Sequence, residues 1–253
     1  MNAESLILHL AVFAAALLQA ATGIGFGLIA GPMILIVLND RSAVQVSILL
    51  SLLIAVVLTP SLIRSLDRAL LPRLVLGTLI GLPIGMALFM AVTVDWLKAL
   101  AGLSVLFMAF FAIVSGQLEE KASFRPGRLL DLGAGAISGV MSAALAMPGP
   151  AVAARMMTQR QSKVAVRATL LALFVFSYTA AIAVQAAVVG VAAPTLGLCA
   201  RLAPATILGV LIGKVSAGLI SERLFRWTIT LILLATAASL LLSAAAGLLG
   251  LSL

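Results

Sequence analysis

Leu18-Gln19-Ala20-Ala21-Thr22-Gly23-Ile24-Gly25-Phe26-Gly27, running on through Leu28-Ile29-Ala30-Gly31-Pro32, decides how this chain must be read. The stretch lies inside an apolar region covering residues 6–38, yet it carries four glycines, a glutamine and a threonine. A single helix over that region would be about 50 Å long at roughly 1.5 Å per residue, too long for a bilayer core of about 30 Å. Two short arms folded back at the glycines solve the problem. Glycine supplies the unusual backbone angles, and the opened turn leaves N–H groups that need partners. A second copy stands further on, at Ser138-Gly139-Val140-Met141-Ser142 and Ala146-Met147-Pro148-Gly149-Pro150. Two broken hydrophobic segments at matching places in two halves are the sequence mark of a transporter's binding site.

Composition agrees with a membrane setting. At 63% hydrophobic and 9% charged residues, with a mean hydropathy of +1.27, the chain has too little polar surface to coat a water-soluble globule. The long Leu/Ala/Val/Ile runs lack the alternation of a β-barrel, so the expected class is an all-α polytopic membrane protein. The net charge of +8 reads as the positive-inside bias of cytoplasmic loops rather than a nucleic-acid surface, since the few aromatics are not interleaved with the basic residues. Cys199 stands alone and reads as a small packing residue. The first apolar segment follows Glu4 with no Lys or Arg before it, so it lacks the n-region of a signal peptide and reads as retained.

Further apolar runs predict helices near 43–63, 73–92 and 97–115, then, after the second broken segment at about 129–158, near 164–190, 200–220 and 226–247. The polar link between them divides the chain into a first transmembrane repeat, 1–116, a cytoplasmic linker, 117–127, and a second repeat, 128–253. Arg73-Leu74 followed by Gly77, Gly81 and Gly85 matches Arg201-Leu202 followed by Ala205, Gly209 and Gly213, which supports a duplication.

The cations decide the topology. If each broken segment is a hairpin with both ends on one side, thirteen of the 16 Lys and Arg residues collect on one face, against Arg41, Lys98 and Arg201 on the other. If each crosses once, the bias vanishes. The hairpin arrangement therefore wins. It gives two inverted-topology repeats, each a re-entrant or broken helical hairpin plus three transmembrane helices. Both termini then lie on the non-cytoplasmic side, and the two tips meet near the bilayer midplane.

A helix that starts at a tip points free N–H groups and about half a positive charge into the bundle. Phe26–Leu38 and residues 150–158 would both start so, and two opposed positive ends make a site for a small anion. The candidate binding residues are Gln19, Thr22, Gly23, Gly25, Ser138, Ser142, Pro148 and Gly149. For each of these residues the plainer alternative is close helix packing. Arg155 and Arg167, flanking the second hairpin's mouth, and Lys214 are candidate vestibule cations, with simple interfacial charge as the alternative. Gln45, Gln185 and Tyr178 read as interhelical hydrogen-bonding groups. All eight carboxylates fall near predicted helix ends or loops, leaving no acidic relay across the membrane. No phosphate-binding loop, HExxH or Cys/His metal cluster is present, so neither an enzyme nor a metal site is expected.

On residues 19–27 with Gly31-Pro32, the weaker echo at 138–150 and the duplicated architecture, the chain resembles the sulfite exporter TauE/SafE family of anion permeases. The resemblance implies an inner-membrane carrier, without a cofactor, that moves sulfite, a sulfonate such as sulfoacetate, or a related organic anion, usually outward. The second turn departs from the family's glycine-rich pattern. Ala143-Ala144-Leu145-Ala146-Met147 is bulkier and more apolar, which favours an anion with an organic tail. The competing readings are an anion channel and a membrane assembly or accessory subunit.

Overall fold

The computed structural model describes residues 3–23, 26–118, 127–157, 159, 161–216 and 222–250. Among those residues the regular structure is all helical, with no strand. The helices are α1 (Ala3–Thr22), α2 (Phe26–Leu38), α3 (Ser42–Leu58), α4 (Leu71–Ala91), α5 (Val94–Leu118), α6 (Arg128–Leu145), α7 (Gly149–Met157), α8 (Lys163–Val188), α9 (Ala193–Ser216) and α10 (Glu222–Leu248). Short 3-10 turns, Thr59–Ser61 and Ile63–Ser65, follow α3. Eight of these helices are long and apolar enough to cross a membrane; α2 and α7 are not among them.

The breaks fall where the sequence placed them, at Gly23–Phe26 and at Ala146–Gly149, but the expected two short arms around the first are not seen. α1 has 20 residues, about 30 Å at 1.5 Å per residue, because its apolar run is uninterrupted from the N-terminal turn to Gly23. α2 has 13 residues and α7 only 9, so the helix after each break is the short one. α5 continues to Leu118, past the expected boundary at 116, and the body of the linker lies outside the described residues.

Two glycine seams carry the closest helix packing. On α4, Gly77, Gly81 and Gly85 face the backbone of α6, while Gly135 and Gly139 of α6 face Leu74 and Thr78 of α4. A Cβ at any of these positions would meet opposing backbone, so only glycine permits this separation. Opposite faces of the same helix carry Leu76, Ile80 and Ile84, which are exposed, as a lipid-facing stripe should be. The second seam sets Gly209 and Gly213 of α9 against Ala16, Leu17 and Ala20 of α1.

The register of these contacts fixes relative direction. α4 and α6 run in the same sense, as do α1 and α9. α5 and α10 run oppositely, with Gly102 at Leu240 and Leu241, and Gly247 at Asp95. α3 and α8 also run oppositely: Gln45 near the start of α3 donates to the Gly190 carbonyl just past α8 (2.8 Å), while Thr169 near the start of α8 accepts from the Asp67 N–H beyond α3 (3.1 Å). Each half thus lays its first helix against the other half's fourth. The end at which α8 begins gathers the described cations of the larger group, from Arg64 after α3 to Lys214 at the end of α9.

Candidate functional site

The first break is made by a helix cap. α1 stops at Gly23, which adopts φ +83° and donates its N–H to the Gln19 carbonyl (2.7 Å). That left-handed cap turns the chain, and glycine is the residue that adopts it without steric cost. Gln19 is 2% exposed, and its Oε1 accepts the Phe26 N–H at 3.1 Å, bridging the last turn of α1 and the first residue of α2. The first amide of α2 is therefore occupied, contrary to the expectation that it would be free. Gln19 Nε2 is left with no hydrogen-bond partner among the described residues. Burying an amide N–H without a partner costs about 1–3 kcal/mol.

Arg167 completes this turn. Its guanidinium donates to the Ala20 carbonyl near the end of α1, and its side chain covers Gly23 so closely that a Cβ there would collide with it. The Nε of Arg167 is buried and has no partner among the described residues, nor does any described carboxylate pair with the side chain. The sequence placed Arg167 at the mouth of the second hairpin. The structure instead turns it onto the first, because α8 begins beside the α1–α2 turn. Gly25 and the side chain of Thr22 lie outside the described residues.

The second break is of another kind. α6 ends in a left-handed Ala146, φ +58°, whose N–H reaches the Ser142 carbonyl while the Met147 N–H reaches that of Met141 (3.1 Å each). Alanine is disfavoured there by about 1–2 kcal/mol, so surrounding groups must hold it. Tyr178 donates to the Ala146 carbonyl (3.2 Å), Gln185 Nε2 to that of Ala143 (2.7 Å), Ser142 to that of Ser177 (3.3 Å), and Ser138 to that of Pro148 (2.7 Å). Ser138 and Ser142 are thus fully buried, and their hydroxyls donate to backbone carbonyls. Gly149 opens α7 and faces the ring of Phe174, with Pro148 just before it. Here the unpartnered atoms are the Ser177 hydroxyl and Gln185 Oε1, the latter an acceptor that repels an anion.

The two breaks do touch. The Ala146 carbonyl lies against Gly27 in the first turn of α2, with the Tyr178 hydroxyl beside it, midway along α8. Gly23, by contrast, sits against Arg167 in the second turn of α8, well away from the second break.

The other vestibule candidates are accounted for differently. Arg155 lies in the last turn of α7 and pairs at 2.9 Å with Asp131, a carboxylate it shares with Arg73. Lys214 is exposed in the last turn of α9, the position of a snorkelling lysine. Asp131 itself was passed over in the sequence as a helix-end charge; it is 1% exposed and bound by groups from three elements. Two cavities lie at the two ends of the bundle. One, of about 290 Å³, is lined by Asp67, Arg73, Asp131, Gln159 and Gln161. The other, of about 260 Å³, is lined by Asp40, Arg41, Gln45, Phe89 and Thr195. In the second, hydrogen bonds from Ser42 hold the Asp40 carboxyl below its ordinary pKa. Among the described residues no cluster of His, Cys, Asp or Glu could hold a metal ion.

Eight apolar spans, lipid-facing stripes and two short interrupted arms define a multi-pass helical membrane protein. The family model for the sulfite exporter TauE/SafE matches residues 8–240, so the chain belongs to that family of membrane transporters. No curated protein and no solved structure matches the chain.

Proposed function

We propose that the protein is a secondary carrier that exports a small organic or sulfur-containing anion, such as sulfite or a sulfonate, across the cell inner membrane. The observation that carries this reading is the pair of buried, unpartnered N–H donors at the first break, Gln19 Nε2 and Arg167 Nε, beside a glycine turn and the start of α2. Donors and a cation in a low-dielectric site attract an anion and leave a cation unserved. Gln19, Thr22, Gly23 and Gly25 form the primary site on this reading. Ser138, Ser142, Pro148 and Gly149 belong to the second break, which meets this element further along α2, where the Ala146 carbonyl lies against Gly27.

Alternating access needs two halves that exchange roles. The helix directions support an inverted repeat: α3 opposes α8, α5 opposes α10, and the α4–α6 seam has its counterpart in α9–α1. Rocking of one half against the other would expose the tips to each side in turn. With the cation-rich end of the bundle cytoplasmic, both termini are external, and an inside-negative potential drives anion exit by about 2.3 kcal/mol per charge per 100 mV. No proton relay is then required.

The test is efflux of labelled sulfite or sulfoacetate from proteoliposomes. Efflux should be saturable, show counter-transport and accelerate under an imposed inside-negative potential. Flux indifferent to voltage contradicts the electrogenic mechanism, and non-saturable flux without counter-transport marks a channel.

A further inference from the structure

We propose that the cavity at the end where α8 begins is a second anion station, in which a small carboxylate or sulfonate competes with Asp131 for Arg73. Asp131, in the first turn of α6, accepts from Arg73 of α4 (3.1 Å), Arg155 of α7 (2.9 Å) and Gln159 (3.0 Å). Two guanidiniums and an amide around one carboxylate form the donor set that a free oxyanion seeks. The three partners are not equivalent. Arg155 lies buried behind Asp131, whereas the Arg73 side chain is 34% exposed and forms part of the cavity wall.

The energetics favour exchange. A buried ion pair gains little net free energy over alternatives that keep both charges compensated, while stripping one partner is costly. A solute anion that takes Arg73 leaves Asp131 with Arg155 and Gln159, so no charge is orphaned at any step. The other acid of the cavity, Asp67, is held by the N–H groups of Ala69 and Leu70 and by the Gln161 amide. Its negative charge keeps the station weak, which suits a place that solute passes through. Arg73 belongs to the first half and Asp131 to the second, so the exchange also loosens the halves at this end. The proposal shares with the carrier reading only the class of solute. Its test reads binding at Arg73 rather than flux through the tips, so either can fail alone.

The experiment uses the purified full-length chain at constant ionic strength, with formate against chloride. Asp131→Ala should lower the melting temperature, and formate should restore most of that loss. It should shift the wild type less, and fail to restore the double variant Asp131→Ala/Arg73→Gln. Equal formate shifts in wild type and Asp131→Ala overturn the proposal. Should Asp131→Ala not accumulate as folded protein, an Ala69→Cys variant in a Cys199→Ala background places a thiol on the cavity wall. Methanesulfonate should slow its labelling by a membrane-impermeant maleimide several-fold, and Arg73→Gln should abolish that protection. An unchanged labelling rate with Arg73 present overturns the station.

Discussion

The two helix breaks start from similar sequence and end as different objects. At the first, Gly23 turns the chain without strain, and the buried donors Gln19 Nε2 and Arg167 Nε have no partner among the described residues. At the second, a strained Ala146 is held by Tyr178, and the serines and Gln185 spend their donors on backbone carbonyls. The two breaks differ in where their N–H and O–H groups end up, and on the proposed reading only the first serves as a site. Among the described residues the first break leaves two N–H donors without a partner, and the second leaves a hydroxyl and an amide oxygen.

That contrast breaks most visibly at Arg167. Arg167→Gln should reduce efflux per folded molecule by about 10- to 100-fold, the effect of losing a charge-assisted contact of about 1.5–3 kcal/mol, beyond the stability lost with its bond to the Ala20 carbonyl. A large loss of stability with normal flux per folded molecule would make the first break a strut too. Next in size is Tyr178→Phe, which removes the donor to the Ala146 carbonyl. It should cost about 1 kcal/mol of stability and leave flux per folded molecule intact. The smallest effect is expected at Ala146 itself. Glycine there relieves the left-handed strain but gives back part of the gain through unfolded-chain entropy, so Ala146→Gly should raise the melting temperature slightly. A fall would show that the alanine methyl is needed more than the backbone is strained.

Much of this architecture is legible in the sequence because glycine and proline mark breaks that apolar periodicity alone would hide. The starts of α2 and α7 follow directly from Phe26 after the glycines and from Gly149-Pro150. The seam glycines at 77, 81 and 85 are visible as a pattern, yet that they face α6 rather than a neighbour in the same half is not, since it depends on how the halves interlock. Asp131 was illegible for the same reason: a carboxylate in the first turn of a helix reads as a surface charge until Arg73 and Arg155 converge on it. Arg167 lies only a turn from the start of α8 in the sequence, and nothing local says that the α1–α2 turn will be within its reach. Ser138 and Ser142 were legible as buried polar groups, but the direction of their hydroxyls was set by α6–α7 closure and by α8.

The central claim is that Gln19 and its turn bind an anion, and Gln19→Glu tests it most directly. The substitution keeps an acceptor for the Phe26 N–H while replacing the spare donor with a negative charge. Thermal melting of the full-length protein is followed with sulfite, sulfoacetate, taurine and acetate. A solute at about 100 times its dissociation constant should stabilise the wild type by about 2.7 kcal/mol. At least one of the anions should raise the wild-type melting temperature, and that rise should vanish in Gln19→Glu, whose own solute-free melting temperature falls because a carboxylate is buried there. An equal rise in both proteins would contradict the account.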